Sequence, residues 1–221
     1  SRNLISKISN DDFSNETFKF GYGKFITLGS KKVWAQRLSY VGELGFELYI
    51  ENKDAKEIYQ IIVEEGKNHD LSHCGSHAMD TMRMESGFLH WGHDISPEEN
   101  QYEAGLNFAI SYKKETDFIG KESLLKIKDK KQNRRFIMLS LKDSKPGAPL
   151  LLYEEPIYVG DKIIGRTTSG NYSFNYKKNL SFGYVSSVHS NEELSKMDLY
   201  IEVAKQKFPV IVEIVPLKDK Q

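Results

Sequence analysis

Two stretches near the front of the chain, Val33 to Ser39 and Phe46 to Ile50, are rich in β-branched or aromatic residues and read as strands. Between them, Tyr40-Val41-Gly42-Glu43-Leu44-Gly45 carries two glycines and reads as a turn. A helical spacing follows. Ala55, Ile58, Tyr59, Ile62 and Val63 recur at three- and four-residue intervals, predicting a helix from Asp54 to Glu65 with Gly66 as its stop. A second helix is predicted from Ser76 to Ser86, with Met79, Met82 and Ser86 on one face. Beyond Phe136 the pattern turns to strands: Phe136 to Leu141, Pro156 to Val159, Lys162 to Thr167, Phe182 to Val188, Leu199 to Val203 and Pro209 to Val215. Gly160-Asp161 and Lys205-Gln206 supply hairpin turns, and so many short strands predict a small barrel or a sandwich. A charged, core-poor stretch from Lys126 to Arg135 separates the two regions, placing domains at 1–128 and 129–221.

Composition narrows the class of molecule. Of 221 residues, 39% are hydrophobic and 12% aromatic, enough to build a core. Lys plus Arg equals Asp plus Glu at 31 each, so nothing global draws the chain to nucleic acid or acidic membranes. Cys74 is the only cysteine, which excludes an internal disulfide and suits a reducing compartment; the expected location is the cytoplasm, or the mitochondrial matrix if eukaryotic. No apolar stretch approaches the ~20 residues that span a bilayer. The first residues, Ser1-Arg2-Asn3-Leu4, show no signal-peptide pattern and no initiator Met.

Generic chemical motifs are sparse. His73 lies four residues after His69 and four before His77, a spacing that on a helix can place two imidazoles on one metal. Gly75 and the helix start at Ser76 interrupt that face, so these histidines read as surface or capping residues. Cys74 beside histidines is no nucleophile pair without geometry to support it. No phosphate-cradling loop, dinucleotide fingerprint or nucleophile elbow is present.

Glu47 stands apart because it interrupts an apolar strand. Strand alternation puts Glu47 and Tyr49 on one face and Phe46, Leu48 and Ile50 on the other. Taken alone, this is a solvent-facing glutamate on a half-buried strand. The alternative is a carboxylate lining a cavity, able to accept two N–H bonds from a flat heterocycle such as an aminopyrimidinone edge.

The surrounding words bear on that choice. Tyr40-Val41-Gly42-Glu43-Leu44-Gly45-Phe46-Glu47-Leu48, Asp80-Thr81-Met82-Arg83-Met84-Glu85-Ser86-Gly87, His90-Trp91-Gly92-His93-Asp94-Ile95 with Tyr102-Glu103-Ala104-Gly105-Leu106, Asp117-Phe118-Ile119-Gly120-Lys121, and Thr168-Ser169-Gly170 with Phe182-Gly183-Tyr184-Val185 follow in order. Together they resemble the glycine-cleavage T-protein (aminomethyltransferase) family. The nearest likeness is to the C-terminal folate-binding domain of dimethylglycine and sarcosine dehydrogenases.

The resemblance implies an α+β fold: the C-terminal portion of the T-protein-like folate-binding fold, then a small antiparallel β-barrel. It implies tetrahydrofolate as cofactor and transfer of a one-carbon unit from a small methylated-amine-derived donor. Glu47 would clamp the pterin, Tyr40 would lie near the folate and Phe88 would form an aromatic wall. Met79 stands where the family has an arginine that meets the folate, and a methionine cannot pair with a carboxylate tail. Arg83 and Glu85 read as a structural ion pair or helix packing. The family's catalytic aspartate belongs to a missing N-terminal part of the same protein, so no catalytic residue is assigned, and any FAD would sit in a domain further upstream. The resemblance also admits a non-catalytic folate-binding regulatory module or a scaffold.

Overall fold

The computed structural model describes residues 1–220 and divides into two compact units, Ser1–Met79 and Asp80–Gln221. The first holds α1 (Arg2–Ile8), β1 (Gly23–Leu28), β2 (Lys31–Gln36), β3 (Glu47–Tyr49) and α2 (Asn52–Gly66). Its strands form one antiparallel sheet in the order β1-β2-β3. Alternation sorts the two faces: Ile26, Leu28, Val33 and Ala35 are buried, whereas Phe25, Thr27, Lys32 and Trp34 are exposed. The inner face packs with Ile5, Phe13, Phe18 and Ile58, and half-buried Phe46, Leu48, Ile50 and Ile62 complete the cluster. Phe46 stands edge-on to Phe13 with ring centroids 5.4 Å apart.

The sequence pattern overruns both predicted strands. β2 stops at Gln36 instead of Ser39, and β3 is confined to Glu47–Tyr49. The intervening loop folds on itself, since Leu38 N–H bonds the Gln36 carbonyl at 3.0 Å. A Cβ on Gly45 would stand 3.2 Å from the Leu38 oxygen, close enough that the loop would have to give by a few tenths of an ångström. The hydrophobic pattern does not announce α1, whose 7 residues are too few to show a helical period. It is held by tertiary packing through buried Ile5.

The second unit begins within α3 (Ser76–Glu85), continues through α4 (Lys121–Ile127), and ends in a barrel. The barrel strands are β4 (Arg134–Leu141), β5 (Pro156–Val159), β6 (Lys162–Ser173), β7 (Lys178–Ser186), β8 (Leu199–Val203) and β9 (Gln206–Val212). They close in the order β4-β7-β6-β5-β8-β9, all neighbours antiparallel, so the choice between barrel and sandwich falls to the barrel. Ile137, Leu139 and Leu141 point into it with Ile157, Val185, Ile201 and Val212. Between them, Phe136 and Met138 join an outer cluster with Met84, Leu180, Phe182 and Leu217. β4 is covered on both faces, which is why it reads as an unbroken apolar run.

Several boundaries differ from the sequence pattern: β4 starts at Arg134, β7 covers Lys178–Ser186 and not Phe182 to Val188, and β9 covers Gln206–Val212 and not Pro209 to Val215. The β8–β9 turn is Ala204-Lys205, with φ of 49° and 64°, one residue earlier than Lys205-Gln206. Two left-handed residues give the turn the twist that a tight hairpin needs. The stretch Lys126 to Arg135 is not bare linker: it holds the end of α4 and the start of β4. β6 runs on past Thr167 to Ser173, with a bulge at Thr168. Among the described residues no helix is long and apolar enough to cross a membrane.

Candidate functional site

The outer face of the three-stranded sheet in the first unit is laid out in rows by the register. Gly23, Gln36 and Glu47 lie side by side in one row, and Phe25, Trp34 and Tyr49 in the next. The aromatic row is open, with Phe25 and Tyr49 each 56% exposed and Trp34 37%. Both flanking side chains lean toward the first row. The Trp34 indole covers Gly23, since a Cβ there would stand 2.3 Å from its Cζ2. The Tyr49 hydroxyl donates to Glu47 Oε2 at 3.0 Å. That bond, and the carboxylate charge after it, hold the Tyr49 hydroxyl above the ordinary tyrosine range.

Glu47 and Tyr49 therefore share a face as the alternation requires, while Leu48 points to the core. The carboxylate faces outward among rings, where it can accept N–H donors from a flat group. Tyr40 lies in the same unit, half-buried in the loop that leads from β2 into β3. Phe88 belongs to the second unit, 36% exposed, directly after α3 and the left-handed Gly87. Gln36 and Trp34 carry no sequence signal of their own. Only the register of the β2–β3 pair brings them beside Glu47 and Tyr49.

In the second unit, α3 is tied to β6 by polar side chains. Arg83 is 1% exposed and Asp94 likewise. Arg83 Nη1 donates to Asp94 Oδ2 at 2.5 Å and to the Phe88 carbonyl at 3.0 Å. Its Nε donates to Asp80 Oδ1 at 2.7 Å, and Nη2 to Ser169 Oγ at 2.8 Å. Asp94 also accepts the Thr168 hydroxyl at 2.5 Å and His90 N–H at 2.9 Å. One guanidinium thus pins both ends of the loop Phe88 to Asp94, whose Trp91 is 66% exposed. Glu85, 4% exposed, accepts from Ser173 Oγ at 2.6 Å and Asn175 Nδ2 at 2.8 Å. Arg83 and Glu85 are buried structural groups, each with its own partners, rather than a pair with each other.

The bulge makes this docking work. Thr167 pairs with Gly183 and Ser169 with Phe182, leaving Thr168 as the extra residue. In a regular strand, Thr168 and Ser169 would point to opposite faces. The bulge lets both hydroxyls reach the Asp94–Arg83 pair. Nothing in the local spacing reveals that connection, because it joins positions more than seventy residues apart.

Two family models match the chain: the GCVT N-terminal domain over residues 1–114 and the glycine cleavage T-protein C-terminal barrel domain over 134–219. The chain is 34% identical over 98% of its length to mitochondrial dimethylglycine dehydrogenase of Homo sapiens, of which it covers 24%. It is 32% identical over 99% of its length to 4-methylaminobutanoate oxidase (formaldehyde-forming) of Paenarthrobacter nicotinovorans, covering 26% of that protein. It is 36% identical over 77% of its length to the aminomethyltransferase of Symbiobacterium thermophilum, covering 45%. The glycine cleavage system aminomethyltransferase T of Bartonella henselae shares its fold, with a TM-score of 0.81 at 20% identity over 97% of this chain and 56% of that one. The chain spans about a quarter of the first two relatives, which are larger proteins. The chain belongs to the glycine cleavage T-protein (aminomethyltransferase) family, with the dimethylglycine and sarcosine dehydrogenases among its relatives.

Proposed function

We propose that this chain is the C-terminal part of a tetrahydrofolate-dependent aminomethyltransferase-like domain. Within a longer dimethylglycine or sarcosine dehydrogenase-like protein, that domain passes a one-carbon unit from a small methylated-amine-derived donor to tetrahydrofolate. The observation that carries the reading is the Glu47 carboxylate, steadied by Tyr49 on an open sheet face beside Trp34. These residues fit the pterin end of a folate: a carboxylate for its paired N–H donors and aromatic surface for its ring. Tetrahydrofolate, when bound, supplies the nitrogens that accept the one-carbon unit. Glu47 fixes the ring, Tyr40 and Phe88 shape the walls, and exclusion of water keeps the donor from hydrolysis.

In this reading the domains divide at 1–128 and 129–221. The missing N-terminal part of the same protein is the partner that completes the cavity and brings the catalytic aspartate. On this reading the 221 residues alone are inactive in transfer, and FAD belongs only to an upstream domain, if one is present. The protein works in the cytoplasm, or in the mitochondrial matrix if eukaryotic; the word mitochondrial in the names of its mammalian relatives bears on the second alternative. Met79, 42% exposed, offers a folate tail no positive charge and points away from the glycine cleavage T-protein itself; the second reading is a non-catalytic folate-binding regulatory or scaffold module.

Titration calorimetry of the full-length parent protein with a reduced folate tests the assignment. Binding is expected, and Glu47→Ala is expected to weaken it at least ~10-fold, the loss of a charge-assisted bond pair. Equal affinity in Glu47→Ala would overturn the pterin assignment. Tight one-to-one binding by the 221-residue chain would overturn the incomplete cavity. One-carbon transfer by the parent separates the enzyme from the regulatory module.

A further inference from the structure

Gln36 sits directly across the β2–β3 pair from Glu47, with its side chain on the same outer face. Side chains opposed in this way have Cβ atoms about 5 Å apart. Among the described residues the Gln36 side-chain amide has no hydrogen-bond partner. Its neighbour in the row on the other side is Gly23, which contributes no side chain, and the space over Gly23 is filled by the Trp34 indole. The result is a polar notch of one carboxylate and one amide, bordered by the Trp34 face and the Tyr49 ring.

We propose that Gln36 is a specificity-determining residue that reads the 4-oxo group of the bound ring beside Glu47. The inference rests on the folate reading above. A 2-amino-4-oxopyrimidine edge presents two N–H donors and then a carbonyl acceptor. Glu47 accepts the two donors and the Gln36 amide N–H donates to the carbonyl. Tyr49 occupies one lone pair of Oε2 and steadies the carboxylate, leaving lone pairs for both incoming donors. Trp34, T-shaped against Phe25 at 5.1 Å, offers the stacking surface. Every one of these residues lies in the first unit, so the contacts to the ring's hydrogen-bonding edge all come from it. The cavity walls, the folate tail and the transfer step need the rest of the protein.

The test uses the 221-residue chain and two small probes, 6,7-dimethylpterin and its 2,4-diamino analogue, at a pH where the diamino ring is unprotonated. Binding is followed at millimolar ligand by the NMR shift of the Trp34 indole signal, which every variant retains. The 4-oxo ring is expected to bind more tightly, because the unprotonated diamino ring turns a lone pair toward Glu47. Gln36→Leu should weaken the 4-oxo ring about 5-fold, the loss of one neutral hydrogen bond. Gln36→Glu should lower the ratio of 4-oxo to diamino affinity at least ~10-fold, since a carboxylate there repels the carbonyl and accepts from the 4-amino group. A ratio cancels any general damage from the substitution. If Glu47→Gln weakens both rings while Gln36→Glu leaves the ratio unchanged, the Gln36 assignment fails and the folate reading stands. If Glu47→Gln leaves both affinities unchanged, the folate reading itself fails. Absence of any shift with either ring overturns the Gln36 proposal, and the folate reading then stands or falls on calorimetry of the parent.

Discussion

The Arg83 guanidinium meets the Asp94 carboxylate at 2.5 Å with neither side chain more than 1% exposed. Removing two charges from water costs several kcal/mol each, and that cost is recovered only when the remaining donors and acceptors are also filled. Here they are: Asp80, Ser169 and the Phe88 carbonyl take the other guanidinium bonds, while Thr168 and His90 N–H serve Asp94. The pair acts as a post on which the Phe88 to Asp94 loop and the bulge of β6 are both hung. Phe88 therefore stands where it does because of a buried ion pair, whatever its contact with ligand.

Removing one partner should be costly. Asp94→Ala leaves a buried cation short of its partner and is expected to cost about 3–5 kcal/mol. Arg83→Lys should lose most of the same amount, because an ammonium cannot serve four partners spread in a plane. The two tryptophans, Trp34 and Trp91, fall in different units, so a Trp34→Phe background lets Trp91 fluorescence report urea unfolding of the second unit alone. A loss under ~1 kcal/mol for Asp94→Ala would show that the pair is only a surface-strength bridge.

Gly23 and Gly170 should respond unequally to the same substitution. At Gly170 a Cβ would meet the Leu151 backbone carbon at 2.5 Å, and backbone cannot step aside cheaply. Gly170→Ala is expected to cost about 1–3 kcal/mol. At Gly23 the obstacle is the far edge of the Trp34 ring, at 2.3 Å, which can swing away. Gly23→Ala should change stability by less than ~1 kcal/mol, offset in part by the lower chain entropy of alanine. It should also shift Trp34 emission, which urea titration and a fluorescence spectrum would read together. A stable Gly170→Ala, or a Gly23→Ala with unmoved emission, would contradict these contacts.

The sequence made the barrel legible because its strands are apolar on faces that are truly covered. Leu139 and Met138 are both buried, one inside the barrel and one beneath Met84, so the run is visible without knowing either neighbour. The far half of β6 was not legible. Ser169, Asn171 and Ser173 are polar because they face the polar side of α3, where Arg83, Asp80 and Glu85 bond them. A strand that docks through hydrogen bonds looks like a loop to any reading of hydrophobic alternation. On the sheet face, Glu47 and Tyr49 could be placed together from a period of two. Gln36 and Trp34 could not, because the 37–46 loop is too long to fix the register in advance.

Tyr49 gives the Glu47 assignment a readout independent of any ligand. Its ionisation is pushed above 10.0, first by the hydrogen bond it donates to Glu47 and then by the carboxylate charge. Because the folded value lies above the unfolded one, the stabilisation is complete below pH 10.0 and fades as pH rises through the folded value. Above it, a tyrosinate beside a carboxylate has no proton to share and the two repel. An ultraviolet difference titration of the parent against Tyr49→Phe isolates this residue from the other tyrosines. Glu47→Gln should bring its titration back down toward 10.0, since the neutral amide removes the charge and accepts more weakly. If Tyr49 titrated in Glu47→Gln where it does in the parent, the hydroxyl would not be bonded to Glu47, and the carboxylate would lose the contact that steadies it on the sheet face.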